Sequence, residues 1–189
     1  MYKNMTNLFE RANKKFLLEQ VKLFESCVSE RTLCGQLMLY LNDAKRKLEF
    51  RSYYVDVEYN RNFNKKIKTI IDDRENIVKI NCDLILHSRG ENTKQDNLIA
   101  IEMKKSNRRA EEKQKDRIRL IALTKDTFDE HIYSYDGITL PEHVCGYILG
   151  IYYEINNNTN TINIEYYHKG NLVKQYIINI EEKAIEDNI

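Results

Sequence analysis

Apolar residues recur at three- and four-residue spacing in the N-terminal part of the chain. The first series runs from Met5 to Val28 and predicts an amphipathic helix of about six turns. Ser29 has the short polar side chain of a helix N-cap and predicts the start of a second helix. The buried stripe of that helix comprises Leu33, Leu37, Tyr40, Leu41, Ala44 and Leu48. The chain is therefore expected to begin with two helices.

Three segments in the middle of the chain have the composition of β-strands. They are Tyr53–Tyr59, Val78–His87 and Leu98–Lys104. Asn107 can cap a third helix over residues 108–123. We expect the inner side of this helix to consist of Ala110, Gln114, Ile118, Ile121 and Ala122.

The C-terminal part of the chain predicts mainly strands. Residues 126–137 are acidic and aromatic and predict a short helix or a loop, whereas Cys145–Tyr153 is apolar on both faces, which is typical of an interior strand. Residues 161–167 and 172–180 predict a hairpin that turns at 168–171. This order of elements predicts an α/β (α+β) fold, in which a mixed central sheet is flanked by helices.

Composition limits the domain count and the location of the protein. A chain of 189 residues with one proline and six glycines predicts a single domain over residues 1–189 without a flexible linker. The longest apolar run is well short of the about 20 residues that span a bilayer, and the N-terminus lacks a signal-peptide pattern. The cysteines are scattered, without a Cys-x-x-Cys pair, and indicate reduced thiols. We therefore expect a cytoplasmic protein with no membrane partner.

Two acidic residues and a lysine are the strongest candidates for chemistry. Glu102 and Lys104 share one face of their predicted strand, because side chains alternate. If residues 88–97 form the turn, a register that pairs Ile85 with Ala100 also places Asp83 opposite Glu102. Such a cluster can bind a metal ion, or it can be an ordinary surface salt bridge.

Charge is distributed unevenly although the net charge is only +1. The segment 104–119 contains eight basic and three acidic residues, and residues 61–74 are also basic, whereas residues 181–187 are acidic. The first basic segment directly follows the Glu-x-Lys sequence. A basic helix of this kind can bind a nucleic-acid backbone, or it can be a solvated helix face.

These residues resemble the PD-(D/E)XK family of restriction-endonuclease-like nucleases. That family has an αβββαβ core, with an aspartate on the second strand and Glu-x-Lys on the third, and the resemblance covers about residues 29–153. The segments 57–60, 83–90 and 97–104 look like small bacterial members. The first helix and the hairpin at 160–180 would be additions. Asn81 and Cys82 replace the proline that usually precedes the aspartate, which affects backbone shape and not a ligand.

The resemblance implies a nuclease that uses Mg²⁺ or Mn²⁺ to hydrolyse phosphodiester bonds. Asp83, Glu102 and the carbonyl of Met103 would bind the ion, and Lys104 would orient or deprotonate the attacking water. Either Glu30 or Glu58 would complete the site, although Glu30 also suits a helix N-terminus. The expected phosphate contacts are Lys105, Arg108, Arg109, His87 and Arg89, although a histidine in the position of His87 is more often a packed strand residue.

The expected substrate and setting follow from the same resemblance. DNA is expected rather than RNA, in bacterial nucleic-acid processing or defence, and a homodimer is compatible with the family. The alternative is a catalytically inactive module of the same fold that binds nucleic acid or another protein.

Overall fold

The computed structural model describes residues 1–46, 49–61, 69–71, 77–79, 81–92, 94–126 and 144–180. Its helices are α1 (Tyr2–Glu19), α2 (Val21–Glu25), α3 (Glu30–Arg46) and α4 (Ala110–Thr124). Its strands are β1 (Tyr54–Val57), β2 (Thr69–Ile71), β3 (Ile77–Lys79), β4 (Leu84–His87), β5 (Asn97–Lys105), β6 (Leu149–Asn156), β7 (Thr161–His168) and β8 (Asn171–Asn179). Over these residues, no helix is both long enough and apolar enough to cross a membrane.

Six strands form one mixed sheet in the order β1-β4-β5-β6-β7-β8, and β2 and β3 form a separate antiparallel pair. Strands β5 and β6 are parallel, whereas the other neighbours in the large sheet are antiparallel. The parallel pair is connected through α4, as a crossover requires. The predicted mixed sheet, the interior strand β6 and the hairpin of β7 and β8 are therefore confirmed.

Helices cover both faces of the sheet, and strand β5 separates two cores. Its apolar residues Ile99, Ile101 and Met103 belong to the core that contains α1 and α3. On the other face, Ala100 packs in a smaller core with Leu120 of α4. Because side chains alternate along β5, Glu102 and Lys104 also lie on the α4 side. The fold thus places charged residues between the sheet and α4.

The first predicted helix is interrupted at Gln20, where φ is −118° and ψ is 25°. In a continuous helix Phe16 and Phe24 would be about 12 Å apart along the axis. The break brings their ring centroids to 5.2 Å and so packs the end of the segment back on the core. Ser29 caps the next helix as predicted, since its Oγ accepts the N–H of Thr32 at 3.2 Å. Leu48, the last predicted residue of the stripe, lies outside the described residues.

The prediction of a single strand over Val78–His87 is wrong. Strand β3 ends at Lys79 and β4 begins at Leu84, and the two belong to different sheets. Asp83 occupies a bend directly before β4. Strand β1 ends earlier than predicted, at Val57, because Glu58 adopts a left-handed backbone conformation with φ of 51°.

The predicted register between β4 and β5 is confirmed at the position that matters for Asp83. Ile85 lies opposite Ala100. The predicted pairing of His87 with Leu98 is wrong, because an irregularity directly before His87 shifts its partner to Asn97. The end of the strand pair next to Asp83 therefore has the predicted register.

The predicted inner face of the third helix is mostly wrong. Helix α4 begins at Ala110 with Arg109 as its N-cap, rather than being capped by Asn107. Its buried residues are Asp116, Leu120, Ala122, Leu123 and Thr124, so that Ala122 was predicted correctly, and Ile121 is partly buried against the same core. The charged inner positions pair with oppositely charged residues of the sheet, which apolar periodicity does not detect. The predicted helix or loop at 126–137 falls almost wholly outside the described residues.

Gly150 marks the closest approach of α4 to the sheet. A Cβ at this position would lie 2.9 Å from Thr124 Cγ2 and 3.2 Å from Tyr167 Cβ. We expect Gly150→Ala to lower the free energy of unfolding by about 1–3 kcal/mol, because neither neighbour is a flexible chain end. Urea unfolding followed by circular dichroism measures this change.

Gly35 provides the matched control, since it lies within α3 and a Cβ there meets no atom within 4 Å. Gly35→Ala should raise the free energy of unfolding by about 0.5–1 kcal/mol through helix propensity. Equal effects of the two substitutions would contradict the close packing of α4 at Gly150.

Candidate active site

Asp83 is attached to strand β5 through its side chain. The main-chain N–H of Met103 donates a hydrogen bond of 2.8 Å to Asp83 Oδ2. Asp83 precedes β4 by one residue and shares the face of Ile85, which packs in the α4 core. The structure therefore places the Asp83 carboxylate beside the strand that carries Glu102 and Lys104, as the register predicts.

Glu102 is the most deeply buried member of the group, with 1% of its surface exposed. Its Oε1 accepts a hydrogen bond of 2.6 Å from Nη1 of Arg119. Burial raises the pKa of Glu102 to about 8, with smaller contributions from Asp83 and Asp116, and the Arg119 charge opposes this rise. The Glu102 carboxyl therefore keeps its proton to a higher pH than an exposed glutamate does, although Arg119 lies beside it.

Lys104 forms an ion pair across the interface with α4. Its Nζ lies 3.0 Å from Oδ2 of Asp116. Burial lowers the pKa of Lys104, but Asp116 and the carboxylates of Asp83 and Glu102 outweigh this effect, so that the net pKa is raised. Lys104 is therefore an ammonium group at neutral pH and can donate hydrogen bonds, but it is a poor base.

Asp116 and Arg119 are site residues that the sequence interpretation missed. Arg119 Nη1 lies 3.3 Å from Asp116 Oδ1 and 2.6 Å from Glu102 Oε1. The four side chains form a chain of alternating charge in the order Glu102, Arg119, Asp116, Lys104. The spacing of Asp116 and Leu120 on α4 is the one sequence signal that could have identified this inner face.

Burial also raises the pKa of Asp83, against the opposing effects of the Met103 N–H and of Lys104.

On the other side of β5, the Cys34 Sγ lies 3.7 Å from the Met103 sulfur. Burial first, and then the nearby acidic residues, raise the pKa of the Cys34 thiol. These acidic residues are Asp83, Glu102, Glu30 and Glu58. Cys34 is therefore an inert packed thiol, as expected for the scattered cysteines.

The structure engages Glu30 and Glu58 with other partners. Glu30 Oε1 accepts the main-chain N–H of Lys105 at 2.8 Å and Nε of Arg108 at 3.1 Å. Glu58 accepts two hydrogen bonds from Arg31 Nη2, at 2.6 and 2.7 Å. The third acidic residue that acts on both Asp83 and Glu102 is instead Asp116.

His87 and Arg89 converge on Asp56 of β1. His87 is almost fully buried, and its Nε2 lies 3.0 Å from Asp56 Oδ2. Its ring packs 4.6 Å from that of Tyr59. The Arg89 Nε donates to Asp56 Oδ2 at 2.8 Å. This geometry favours the interpretation of His87 as a packed strand residue over a phosphate contact.

Three of the predicted phosphate contacts surround the N-terminus of α4. Lys105 Nζ donates to the carbonyl of Cys27 at 2.7 Å, and Arg108 pairs with Glu30. Arg109 is bound by Glu112, 2.8 Å away, but 81% of its side chain is exposed. All three residues thus have partners in the free protein, and Arg109 is the most accessible of them.

A second polar network continues under α4 beside the site. Lys113 Nζ donates to Glu154 Oε1 at 2.9 Å, and Arg117 forms two hydrogen bonds to Glu165, of 2.9 Å from Nε and 2.8 Å from Nη2. The Tyr167 hydroxyl donates to the same Glu165 carboxylate at 2.6 Å. These contacts fix α4 over β6 and β7, and so fix the position of Arg119 over β5.

The donor atoms suit a hard divalent cation. In the described part of the chain, no group of three or more His, Cys, Asp or Glu side chains is arranged to hold a metal ion. Mg²⁺, however, is commonly bound by one or two carboxylates together with water and substrate phosphate. Among the described hydrogen bonds, Asp83 accepts through Oδ2 alone and Glu102 through Oε1 alone. One oxygen of each carboxylate thus remains for an ion.

Neither a protein-family model, nor a curated protein, nor a solved structure matches this chain. The geometry and charge of the site itself are therefore what indicates a function.

Asp56 allows a test of the electrostatic description near His87. Burial raises its pKa, but the hydrogen bonds from His87 and Arg89 outweigh burial and lower the pKa well below the ordinary value of 3.8. Because the pKa of Asp56 is lower in the folded than in the unfolded state, its ionised carboxylate stabilises the folded protein. This contribution is complete above the unfolded-state pKa and is lost as the pH falls towards the folded-state pKa. We expect Asp56→Asn to lower the free energy of unfolding at pH 7 by about 2 kcal/mol, and by less near pH 3.

Urea unfolding at the two pH values measures the difference. Asp43→Asn is the control, because Asp43 pairs with Lys15 at a half-exposed site and should change stability by less than about 0.5 kcal/mol. A destabilisation by Asp56→Asn that is independent of pH would contradict a depressed pKa.

Proposed function

We propose that this protein is a metal-dependent nuclease that hydrolyses phosphodiester bonds of DNA. The observation that carries the proposal is the convergence of Asp83, Glu102 and Lys104 on one face of the sheet, at the junction of β4 and β5. The element order from α3 through β1, β4, β5 and α4 to β6 is compatible with the PD-(D/E)XK core that the sequence resembles.

Asp83 and Glu102 would hold a Mg²⁺ or Mn²⁺ ion together with the carbonyl of Met103. When bound, such an ion lowers the pKa of water and neutralises charge on the phosphate and on the leaving oxygen. The residues themselves supply hard oxygen donors in a partly dehydrated setting, where electrostatic interactions are strong. The raised pKa of Glu102 agrees with a site that requires a cation.

Lys104 has a narrower role than the resemblance implies. Its raised pKa disfavours deprotonation of water by the amine at neutral pH. As an ammonium group, Lys104 donates hydrogen bonds that can orient the attacking water, and it balances the charge of the scissile phosphate. Asp116, 3.0 Å away, holds the amine in place.

The basic residues at the start of α4 suit the phosphate backbone of the substrate. Arg108 and Arg109 lie on the solvent side, directly after the strand that carries the proposed ligands. Contacts of this kind position a duplex without reading its sequence. We accordingly propose DNA as the substrate class, with RNA as an arm of the test.

A second candidate function is a nuclease-like module that binds nucleic acid without cleaving it. The observation that favours it is the ion pair between Arg119 and Glu102, because the guanidinium already supplies a cation to the buried carboxylate. The same assay separates the two candidates.

We expect the purified protein to cleave DNA with Mg²⁺ or Mn²⁺ and to lose activity in EDTA. Glu102→Gln and Lys104→Met should each lower the cleavage rate by about a hundredfold or more, since one removes a metal ligand and the other the ammonium group. Gel assays on supercoiled, linear and single-stranded DNA and on RNA measure the rates.

Glu111→Gln is the control, because Glu111 is an exposed residue of the first turn of α4, and its rate should equal that of the wild type. Cleavage that persists at the wild-type rate in Glu102→Gln would indicate a contaminating nuclease and reject the proposal. Binding of DNA without cleavage by any form would support the inactive module.

A further inference from the structure

Arg119 lies directly beside one of the two proposed metal ligands. Its Nη1 is 2.6 Å from Glu102 Oε1, and the Met103 N–H, 2.8 Å from Asp83 Oδ2, holds the other ligand beside the same strand. A divalent ion shared by Asp83 and Glu102 would therefore stand close to the guanidinium. Because the two carry like charge, they repel each other there, and the presence of one weakens the binding of the other to Glu102.

The buried Glu102 carboxylate explains why a cation is present without metal. A carboxylate that is 1% exposed and has no positive partner is strongly disfavoured. Arg119 comes from α4 rather than from the sheet, so that its pairing with Glu102 depends on the docking of that helix. Glu102 is therefore paired with a positive charge in the free protein.

Arg119 also has an alternative partner within reach. Asp116 lies one helical turn earlier, with Oδ1 3.3 Å from Arg119 Nη1. The Arg119 side chain is 23% exposed, so that it borders solvent and can move without unfolding α4. An arginine that leaves Glu102 would thus keep Asp116 as a partner.

We propose that Arg119 is a resident cation that competes with the divalent ion for Glu102 and turns towards Asp116 when the ion binds. This inference rests on the proposed function, because it assumes that Asp83 and Glu102 are metal ligands. It assigns to α4 control over metal affinity, beyond its packing role.

Isothermal titration of the free protein with Mn²⁺ tests this competition without nucleic acid or turnover. Arg119→Gln should bind Mn²⁺ roughly tenfold more tightly than the wild type, because the competing charge is gone. Lys115→Gln removes the same charge from an exposed position of α4 and should bind as the wild type does. The double variant Glu102→Gln/Arg119→Gln should not show the increased affinity for Mn²⁺, since it lacks the Glu102 carboxylate for which the two cations compete.

Thermal unfolding by circular dichroism shows whether each variant is folded. If Arg119→Gln does not fold, Arg119→Met decides the matter, because it removes the same charge and keeps an unbranched apolar side chain at the edge of the core. Roughly tenfold tighter binding of Mn²⁺ by Arg119→Met would support the competition, and unchanged binding would overturn it.

The outcomes separate this inference from the proposed function. Equal affinity of wild type and Arg119→Gln overturns the competition while leaving the metal site intact. Tight binding by Arg119→Gln with none by the wild type supports the competition and indicates that the natural chain is inactive. No binding by either protein, both folded, overturns the competition and the metal site together.

Discussion

The burial of Glu102 beneath α4 is the constraint on which the rest of the site depends. A carboxylate in this position must be neutralised by a proton or by a nearby positive charge. In the structure Arg119 supplies that charge, and Asp116 then balances Arg119 and Lys104. These four side chains consequently form a continuous chain of ion pairs, in which each charged group lies beside one of opposite charge.

This chain of ion pairs explains why α4 and the sheet beneath it carry charged residues at their interface. The helix places charged residues against the sheet where a surface helix would normally place apolar ones. Arg117 and Lys113 bind acidic residues of β7 and β6 and hold the helix along its length. Such buried pairs contribute little net stability compared with apolar packing, but breaking one leaves an unpaired charge. These ion pairs fix the position of α4 on the sheet.

The sequence was sufficient to place the main site residues but not their partners. The period-two alternation of β5 and the pairing of Ile85 with Ala100 predicted the position of Asp83 correctly, although the strand boundaries before it were wrong. Asp116 and Arg119 could not be predicted, because periodicity methods treat charged helix positions as solvent-facing. Their partners lie on β5, the strand directly before α4, and only the folded structure shows which helix positions face them.

The middle residue of the Glu-x-Lys sequence is more than a spacer. The main-chain N–H of Met103 holds the Asp83 carboxylate, while its side chain is buried on the opposite face against Cys34. One residue thus joins the interior beneath α1 and α3 to the charged cluster beneath α4. Any repacking of that interior that shifts β5 displaces the aspartate, so the geometry of the charged cluster depends on the hydrophobic packing on the opposite face of the sheet.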